Sequence, residues 1–149
     1  MSNNSVTLHR LLKTTPEKAY RAFTEPNALA SWIPPYGFLC VVHEMDVREG
    51  GSYKMSFTNF STGNGNSFGG VFLEIKLNEF IKHTDKFDDP NLPGEMTTSI
   101  WFKKLSCGTE LTIVQEGIPS VIPTEMCYLG WQESLEKLAK LVEPEIPDA

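Results

Sequence analysis

The chain has 149 residues, of which 40% are hydrophobic and 11% aromatic, values typical of a globular protein with one sizeable core. Its formal charge is −6 and its Lys and Arg residues form no cluster, which excludes the basic patch typical of nucleic-acid binders. No apolar run approaches the roughly 20 residues that span a membrane. The polar N-terminus also lacks the apolar segment of a signal peptide. We therefore expect a cytoplasmic protein with neither a nucleic acid nor a membrane as its partner.

The cysteines and histidines predict neither a disulfide framework nor a metal site. Cys40, Cys107 and Cys127 are widely spaced and none belongs to a CxxC pair, so we expect reduced thiols. The three histidines and three cysteines lack the spacing of zinc ligands. No nucleophile motif and no phosphate-binding loop are present. The sequence therefore predicts no metal, no cofactor and no assigned catalytic residue.

The first part of the chain predicts one strand followed by two short helices. Residues 6–12 alternate in part between apolar and polar positions, which indicates a strand. Thr15 can cap a helix that begins at Pro16. Pro26 opens a second short helix, and the proline-rich segment 34–37 ends it.

The middle of the chain predicts six further strands joined by turns. Gly50-Gly51 marks one turn, and Gly69-Gly70, inside a predicted strand, indicates a bulge or a sharp bend of the sheet. The strands are expected at residues 39–47, 52–58, 68–75, 80–87, 97–105 and 109–115.

The last segment predicts one long helix. Its apolar residues recur at steps of three and four, and Pro144 stops the pattern; they are Cys127, Trp131, Leu135, Leu138 and Val142. Strands grouped in sequence, with helices before and after them, favour an α+β fold with an antiparallel sheet. Without a linker or a repeat, residues 1–149 are predicted to form a single domain with an ordered core at roughly 5–143.

Several segments in this order resemble a known family. They are TPEKAYRAFTEP at residues 15–26, Trp32 with Pro34, EMDVREGGSY at residues 44–53, and Gly130-Trp131 with the leucines that follow. Together they resemble the activator of Hsp90 ATPase homologue domain, within the START and Bet v 1-like (SRPBCC) superfamily, over roughly residues 5–143. The resemblance implies a helix-grip fold, in which a curved antiparallel sheet of six to seven strands wraps around the long C-terminal helix. It also implies a cavity between the sheet and that helix.

The side chains expected on the inner face of the sheet and helix are rich in aromatic residues and Met, which suit an apolar ligand. The same side chains could instead fill a solid core. From strand alternation and the family pattern, the candidates for lining the cavity are Trp32, His43, Met45, Tyr53, Met55, Phe57, Phe72, Glu74, Ile100, Phe102, Leu111, Ile113, Trp131 and Leu135.

Two of these candidates are ionisable. Glu74 shares the alternation of Phe72, so it is either an inward polar anchor or general acid/base, with Arg10 as a possible partner, or a carboxylate in water or in a structural ion pair. His43 is either a general base or pH-sensitive cavity group, or a structural residue. His9 and His83 are expected to be exposed.

Three hypotheses for the function follow. The first is a binding protein for a small apolar or amphipathic molecule. The second, implied by the resemblance, is a protein-interaction domain of the chaperone-activator kind. The third is a cyclase- or hydrolase-type enzyme that uses Glu74 or His43, although the sequence shows no paired catalytic groups. The chain is expected to be a monomer or a homodimer, because a sheet edge could pair two copies.

Overall fold

A computed structural model describes residues 4–148, and within that range the chain forms seven strands and three helices. In chain order the elements are β1 (Ser5–Leu12), α1 (Pro16–Thr24), α2 (Pro26–Trp32), β2 (Phe38–Met45), β3 (Ser52–Asn59), β4 (Gly65–Lys76), β5 (Phe80–Phe87), β6 (Met96–Leu105), β7 (Gly108–Glu116) and α3 (Thr124–Val142). This order confirms the predicted one. The fourth strand begins earlier than predicted, at Gly65 rather than at residue 68.

The seven strands form one sheet in the order β1-β7-β6-β5-β4-β3-β2, with every neighbouring pair antiparallel. The sheet curls into a half-barrel, and the predicted α+β helix-grip fold is confirmed. Since sequential strands from β2 to β7 are neighbours, short turns suffice to connect them. Only β1 is placed by a longer connection, and it pairs with β7 along its full length.

The two short helices start as the sequence predicts. The Thr15 hydroxyl accepts a hydrogen bond from the Lys18 backbone N–H at 3.3 Å, and Pro16 occupies the first turn. Pro26 begins α2 in the same way, although Glu25 provides no side-chain cap. The two helices meet through aromatic rings, because Phe23 packs edge-to-face on Trp32 and on Phe102 of β6.

A solid core fills one part of the half-barrel. The C-terminal half of α3 lies over β1 and against α1, and it buries Leu138 and Val142. Trp32 at the end of α2 is 0% exposed, and its indole N–H donates to the Ala22 carbonyl oxygen at 2.8 Å. A fully buried indole with a satisfied donor is a packing residue, and it anchors α2 against α1.

Two bulges change the alternation of side chains along the sheet. The register between β2 and β3 shifts between Val42 and Glu44, and that between β4 and β5 shifts between Phe72 and Glu74. Gly69-Gly70, where the sequence indicated a bulge or a bend, keeps its register with β3. A Cβ atom at Gly70 would lie 1.8 Å from the Thr84 carbonyl oxygen, so this glycine allows a close approach of β5.

Candidate functional site

A cavity of about 480 Å³ lies between the sheet and the N-terminal half of α3. Its volume falls within the roughly 300–1,000 Å³ of small-molecule sites. The helix contributes one continuous face, with Met126, Cys127, Gly130, Trp131 and Ser134 on the wall. These positions alternate in steps of one and three, which is the spacing of a helix face that covers a groove. Gly130 at the centre of this face leaves room, since a Cβ atom there would meet nothing within 4 Å.

The inner face of the sheet supplies a mostly apolar wall. Phe57, Phe68 and Phe87 meet in edge-to-face contacts at one end of the cavity. Residues that the sequence predicted to line the cavity, and that the structure brings to its wall, are Met45, Tyr53, Met55, Phe57, Phe72, Ile100 and Trp131. A ligand-binding role for them remains a prediction.

Other predicted residues face inward but lie in the solid core beside the cavity. The strand residues among them alternate as predicted, yet their position along the curled sheet places them where α1, α2 and the C-terminal half of α3 fill the space, and the helix residues among them pack there too. These residues are Trp32, Phe102, Leu111, Ile113 and Leu135. The two alternatives left open by the sequence, a cavity and a packed interior, therefore both occur, at different ends of one half-barrel.

The predicted inward positions of His43 and Glu74 are wrong. The bulge in β2 places His43 on the outer face, where it is exposed and hydrogen-bonds the Ser56 hydroxyl at 2.7 Å. The bulge in β4 restores Ile75, rather than Glu74, to the inner face, and the Glu74 side chain is 47% exposed near Lys76. Strict alternation fails at both strands because a bulge adds one residue to the count.

The possible partnership between Arg10 and Glu74 is also wrong. Arg10 does lie on the face of Leu8 and Leu12, as predicted, but α3 covers that face. Its guanidinium lies 3.6 Å from the Glu136 carboxylate of α3. Both side chains are partly exposed, so this ion pair contributes little to stability.

The structure reveals a buried polar cluster on the cavity wall that the sequence analysis missed. His83, predicted to be exposed, lies on the wall with only 18% of its side chain accessible. Its Nδ1 atom is 3.1 Å from Oδ1 of Asp85, which is 5% exposed. The Tyr53 hydroxyl donates to the same carboxylate and to the Thr84 carbonyl oxygen, and Thr98 donates to Oδ2 of Asp85 at 2.5 Å.

The cluster continues to the helix through side-chain amide hydrogen bonds. The Gln115 amide N–H donates to the Thr98 hydroxyl oxygen at 3.3 Å, and the Trp131 indole N–H donates to the Gln115 amide oxygen at 3.2 Å. This chain of hydrogen bonds links β5, β6, β7 and α3 across the floor of the cavity. A connected network of hydrogen bonds of this kind holds its members in one arrangement.

His83 and Asp85 each stabilise the charged form of the other. Burial opposes a charged imidazole, but the charge and the hydrogen bond of Asp85 outweigh it and raise the pKa of His83. Burial likewise opposes the carboxylate, but His83 and the hydrogen bonds from Thr98 and Tyr53 hold the pKa of Asp85 below its usual range. Burial, together with the charge of Asp85, raises the pKa of Tyr53, so the phenol stays neutral. Between about pH 3.8 and pH 6.5 the pair is therefore an imidazolium beside a carboxylate.

Strand alternation alone could have found this cluster. Ile81, His83, Asp85 and Phe87 occupy alternate positions of β5, and all four line the cavity. Because β5 pairs with β6 in unbroken register from Phe80 to Asp85, the inward apolar residues of this set indicate that the polar residues between them also point inward. A charged residue flanked by inward apolar neighbours indicates a buried polar site.

Other kinds of site find no support in the part of the chain described, residues 4–148. There, no group of three or more His, Cys, Asp or Glu side chains is arranged to hold a metal ion. None of the helices formed by these residues is long and apolar enough to cross a membrane. The three cysteines are free thiols, and burial raises the pKa of Cys40 to about 11 and also raises that of Cys127.

Comparisons with known proteins place the chain among proteins of one fold. The sequence model of the family described as activator of Hsp90 ATPase homolog 1-like protein matches residues 13–143. A crystal structure of a protein from Chromobacterium violaceum is 56% identical, with a TM-score of 0.94, over 95% of this chain and 99% of that chain. No curated protein matches the chain.

More distant solved structures share the fold. One from Nitrosomonas europaea is 24% identical, with a TM-score of 0.76, over 92% of each chain. One from Aeromonas hydrophila, described as similar to activator of Hsp90 ATPase homologue 1, is 15% identical, with a TM-score of 0.74, over 91% of this chain and 90% of that chain. At these identities the likeness concerns the fold alone.

Proposed function

Because this chain belongs to the activator of Hsp90 ATPase homolog 1-like family, we propose that it binds a small apolar or amphipathic molecule in the cavity between its sheet and α3. The observation that supports the proposal most directly is the cavity itself, a mostly apolar space of about 480 Å³ with the polar cluster of His83 and Asp85 on its wall. A mostly apolar pocket with few convergent polar groups is typical of small-molecule sites.

The shape of α3 supports this proposal over a simple packing defect. Apolar cavities left empty in a core cost stability, so interiors are usually filled by large side chains. Here the central position of the cavity-facing helix surface is Gly130, where a larger side chain would have room. Glycine inside a helix is itself unfavourable by roughly 0.5–1 kcal/mol relative to Ala. Gly130 therefore lowers stability in two ways, because it leaves the cavity unfilled and because glycine is unfavourable inside a helix. A larger residue at this position would remove both effects.

The enzymatic alternative depended on His43 and Glu74 lying in the cavity. His43 and Glu74 both lie outside the cavity, so neither can reach a molecule bound there. General acid–base catalysis requires hydrogen-bond contact with the reacting group.

The proposal predicts that filling the cavity abolishes binding. Gly130→Leu should place a side chain in the cavity and lower the affinity for an apolar probe, 2-ethylnaphthalene, by roughly tenfold or more, because the probe and the new side chain would compete for one space. Gln132→Leu adds the same side chain to the exposed face of the same helix and should leave the affinity unchanged. Isothermal titration calorimetry measures both. Equal affinities in the two variants, or no binding to the unsubstituted protein, would refute the proposal.

A second candidate is a protein-interaction role of the chaperone-activator kind. Large apolar side chains are exposed around the start of α3, namely Val121 at 65%, Met126 at 60% and Leu129 at 52%. Clustered exposed apolar residues favour a docking surface. If a partner binds there, immobilised protein should retain an Hsp90-type chaperone, and Leu129→Lys should release it. Failure to retain the chaperone at all would count against this candidate.

A further inference from the structure

One nitrogen of the buried imidazole is left available to a ligand. Nδ1 of His83 lies 3.1 Å from Oδ1 of Asp85 and 3.3 Å from the Thr84 carbonyl oxygen. Both neighbours are hydrogen-bond acceptors, so Nδ1 carries a hydrogen atom in both charge states of the ring. Nε2 has no hydrogen-bond partner within residues 4–148, and the ring lies on the cavity wall.

The remaining polar groups of the cluster are occupied by one another. The Tyr53 and Thr98 hydroxyls both donate to Asp85, and the indole of Trp131 donates to Gln115. Gln115 in turn donates to Thr98. Apart from the second amide N–H of Gln115, the hydrogen-bonding capacity that the cluster offers to a ligand therefore lies on His83.

We propose that Nε2 of His83 recognises the polar end of the ligand, and that the cavity selects an apolar molecule carrying one neutral carbonyl oxygen. This inference rests on the proposed function and specifies the class of ligand. When the imidazole is protonated, its Nε2–H is a donor that a carbonyl oxygen satisfies. The apolar body of the ligand would lie against the wall formed by Met55, Phe57 and Phe68.

The charge of the cluster favours a neutral ligand over an acid. The imidazolium of His83 and the carboxylate of Asp85 have no net charge together. A ligand carboxylate would be a second buried anion beside a single imidazolium, and burying an uncompensated charge is costly. A ketone, aldehyde or ester satisfies the same donor without that cost.

Recognition should depend on pH through the ring of His83. The groups that face it are Asp85 on its own strand, Tyr53 from β3, Phe72 from β4 and Thr98 from β6, while α3 adds the Cys127 thiol to the cavity. Asp85 raises the pKa of His83, so the donor form persists above the ordinary value of 6.5. When the pH rises through this pKa, Nε2 loses its hydrogen atom and becomes an acceptor, and the preference for a carbonyl is lost.

Three probes of one shape test the inference by isothermal titration calorimetry at about pH 6. 2-Acetylnaphthalene carries the carbonyl, 2-ethylnaphthalene lacks it, and 2-naphthoate replaces it with a carboxylate. The unsubstituted protein should bind the ketone roughly tenfold or more tightly than the hydrocarbon, and the acid most weakly. His83→Leu should equalise the ketone and the hydrocarbon. His43→Leu removes an exposed imidazole outside the cavity and should keep the preference.

The outcomes separate this inference from the proposed function. Equal affinity for the ketone and the hydrocarbon, or a preference that survives His83→Leu, overturns the role of His83 while leaving the cavity as a binding site. If 2-naphthoate binds more tightly than 2-acetylnaphthalene, the preference for a neutral ligand is overturned. If neither neutral naphthalene binds, the proposed function fails and this inference fails with it. Should His83→Leu not fold, the same preference is measured on the unsubstituted protein over a pH series that rises from about 6, and the ketone should lose its advantage as the pH passes the folded pKa of His83.

Discussion

Asp85 shows how a carboxylate can remain charged beneath an apolar cavity. Its two oxygens accept hydrogen bonds from Tyr53 and Thr98, and the imidazolium of His83 compensates its charge. A buried carboxylate without these partners would be strongly unfavourable. The pair gives its members a fixed geometry, but its net contribution to stability is the difference between attraction and lost solvation.

We expect the contribution of His83 to the free energy of unfolding to depend on pH. The raised pKa of His83 means that its contribution is fully present below 6.5 and is lost as the pH rises through its folded pKa. The lowered pKa of Asp85 means that its contribution is present above 3.8 and is lost at lower pH. The pair therefore contributes most to the free energy of unfolding between pH 3.8 and pH 6.5.

His83→Leu should lower the free energy of unfolding by roughly 3–5 kcal/mol inside this window, because it leaves a buried carboxylate uncompensated. As the pH rises through the folded pKa of His83 the loss should become smaller, since the unsubstituted protein then also holds a neutral imidazole. Chemical denaturation over a pH series that rises from about 6, with His43→Leu as the control, measures this change. A loss that stays the same over the whole pH range in which the protein is folded would contradict the charged pair.

At the scale of single elements, the glycines of β4 and α3 have opposite roles. Gly70 allows β5 to approach, because a Cβ atom there would lie 1.8 Å from the Thr84 carbonyl oxygen. Gly130 has no such constraint and leaves space in the cavity. The first glycine is required by the backbone of the sheet, whereas the second is not required by the helix.

The two Gly→Ala substitutions should therefore change stability in opposite directions. Gly70→Ala should lower the free energy of unfolding by roughly 1–3 kcal/mol or more, because backbone atoms must move. Gly130→Ala should raise it by about 0.5–1 kcal/mol, because alanine is the better helix former. Denaturant titrations of both variants provide the measurement. A neutral Gly70→Ala would show that β4 and β5 can separate without cost.

The elements themselves could be predicted because each has a local cause. Thr15 and Pro16 start α1, and the steps of three and four between Trp131 and Val142 define α3. The two bulges could not be predicted, since nothing in residues 42–44 or 72–74 distinguishes a bulged strand from a regular one. For that reason the predicted inward orientations of His43 and Glu74 were wrong.

At the scale of the whole molecule, one curled sheet serves two purposes. Its β1, β7 and β6 side holds the core under the C-terminal half of α3, with α1 and α2 packed beside it. Its β3, β4 and β5 side faces the N-terminal half of α3 across the cavity. Sequence patterns identify inward residues such as Leu111 and Phe57 equally well, but only the three-dimensional path of α3 decides which of them lie in the core. The polar cluster of His83 and Asp85 lies where these two parts meet.

The central claim is that this cavity is a ligand site, and native mass spectrometry tests it most directly. The protein and Gly130→Leu would each be purified without detergent and exposed to the same apolar extract of cells. We predict one stoichiometric added mass on the unsubstituted protein, lost on denaturation and missing from Gly130→Leu, because the leucine fills the space in which the ligand lies. An equal added mass on both proteins, or none on the unsubstituted protein, would contradict the claim.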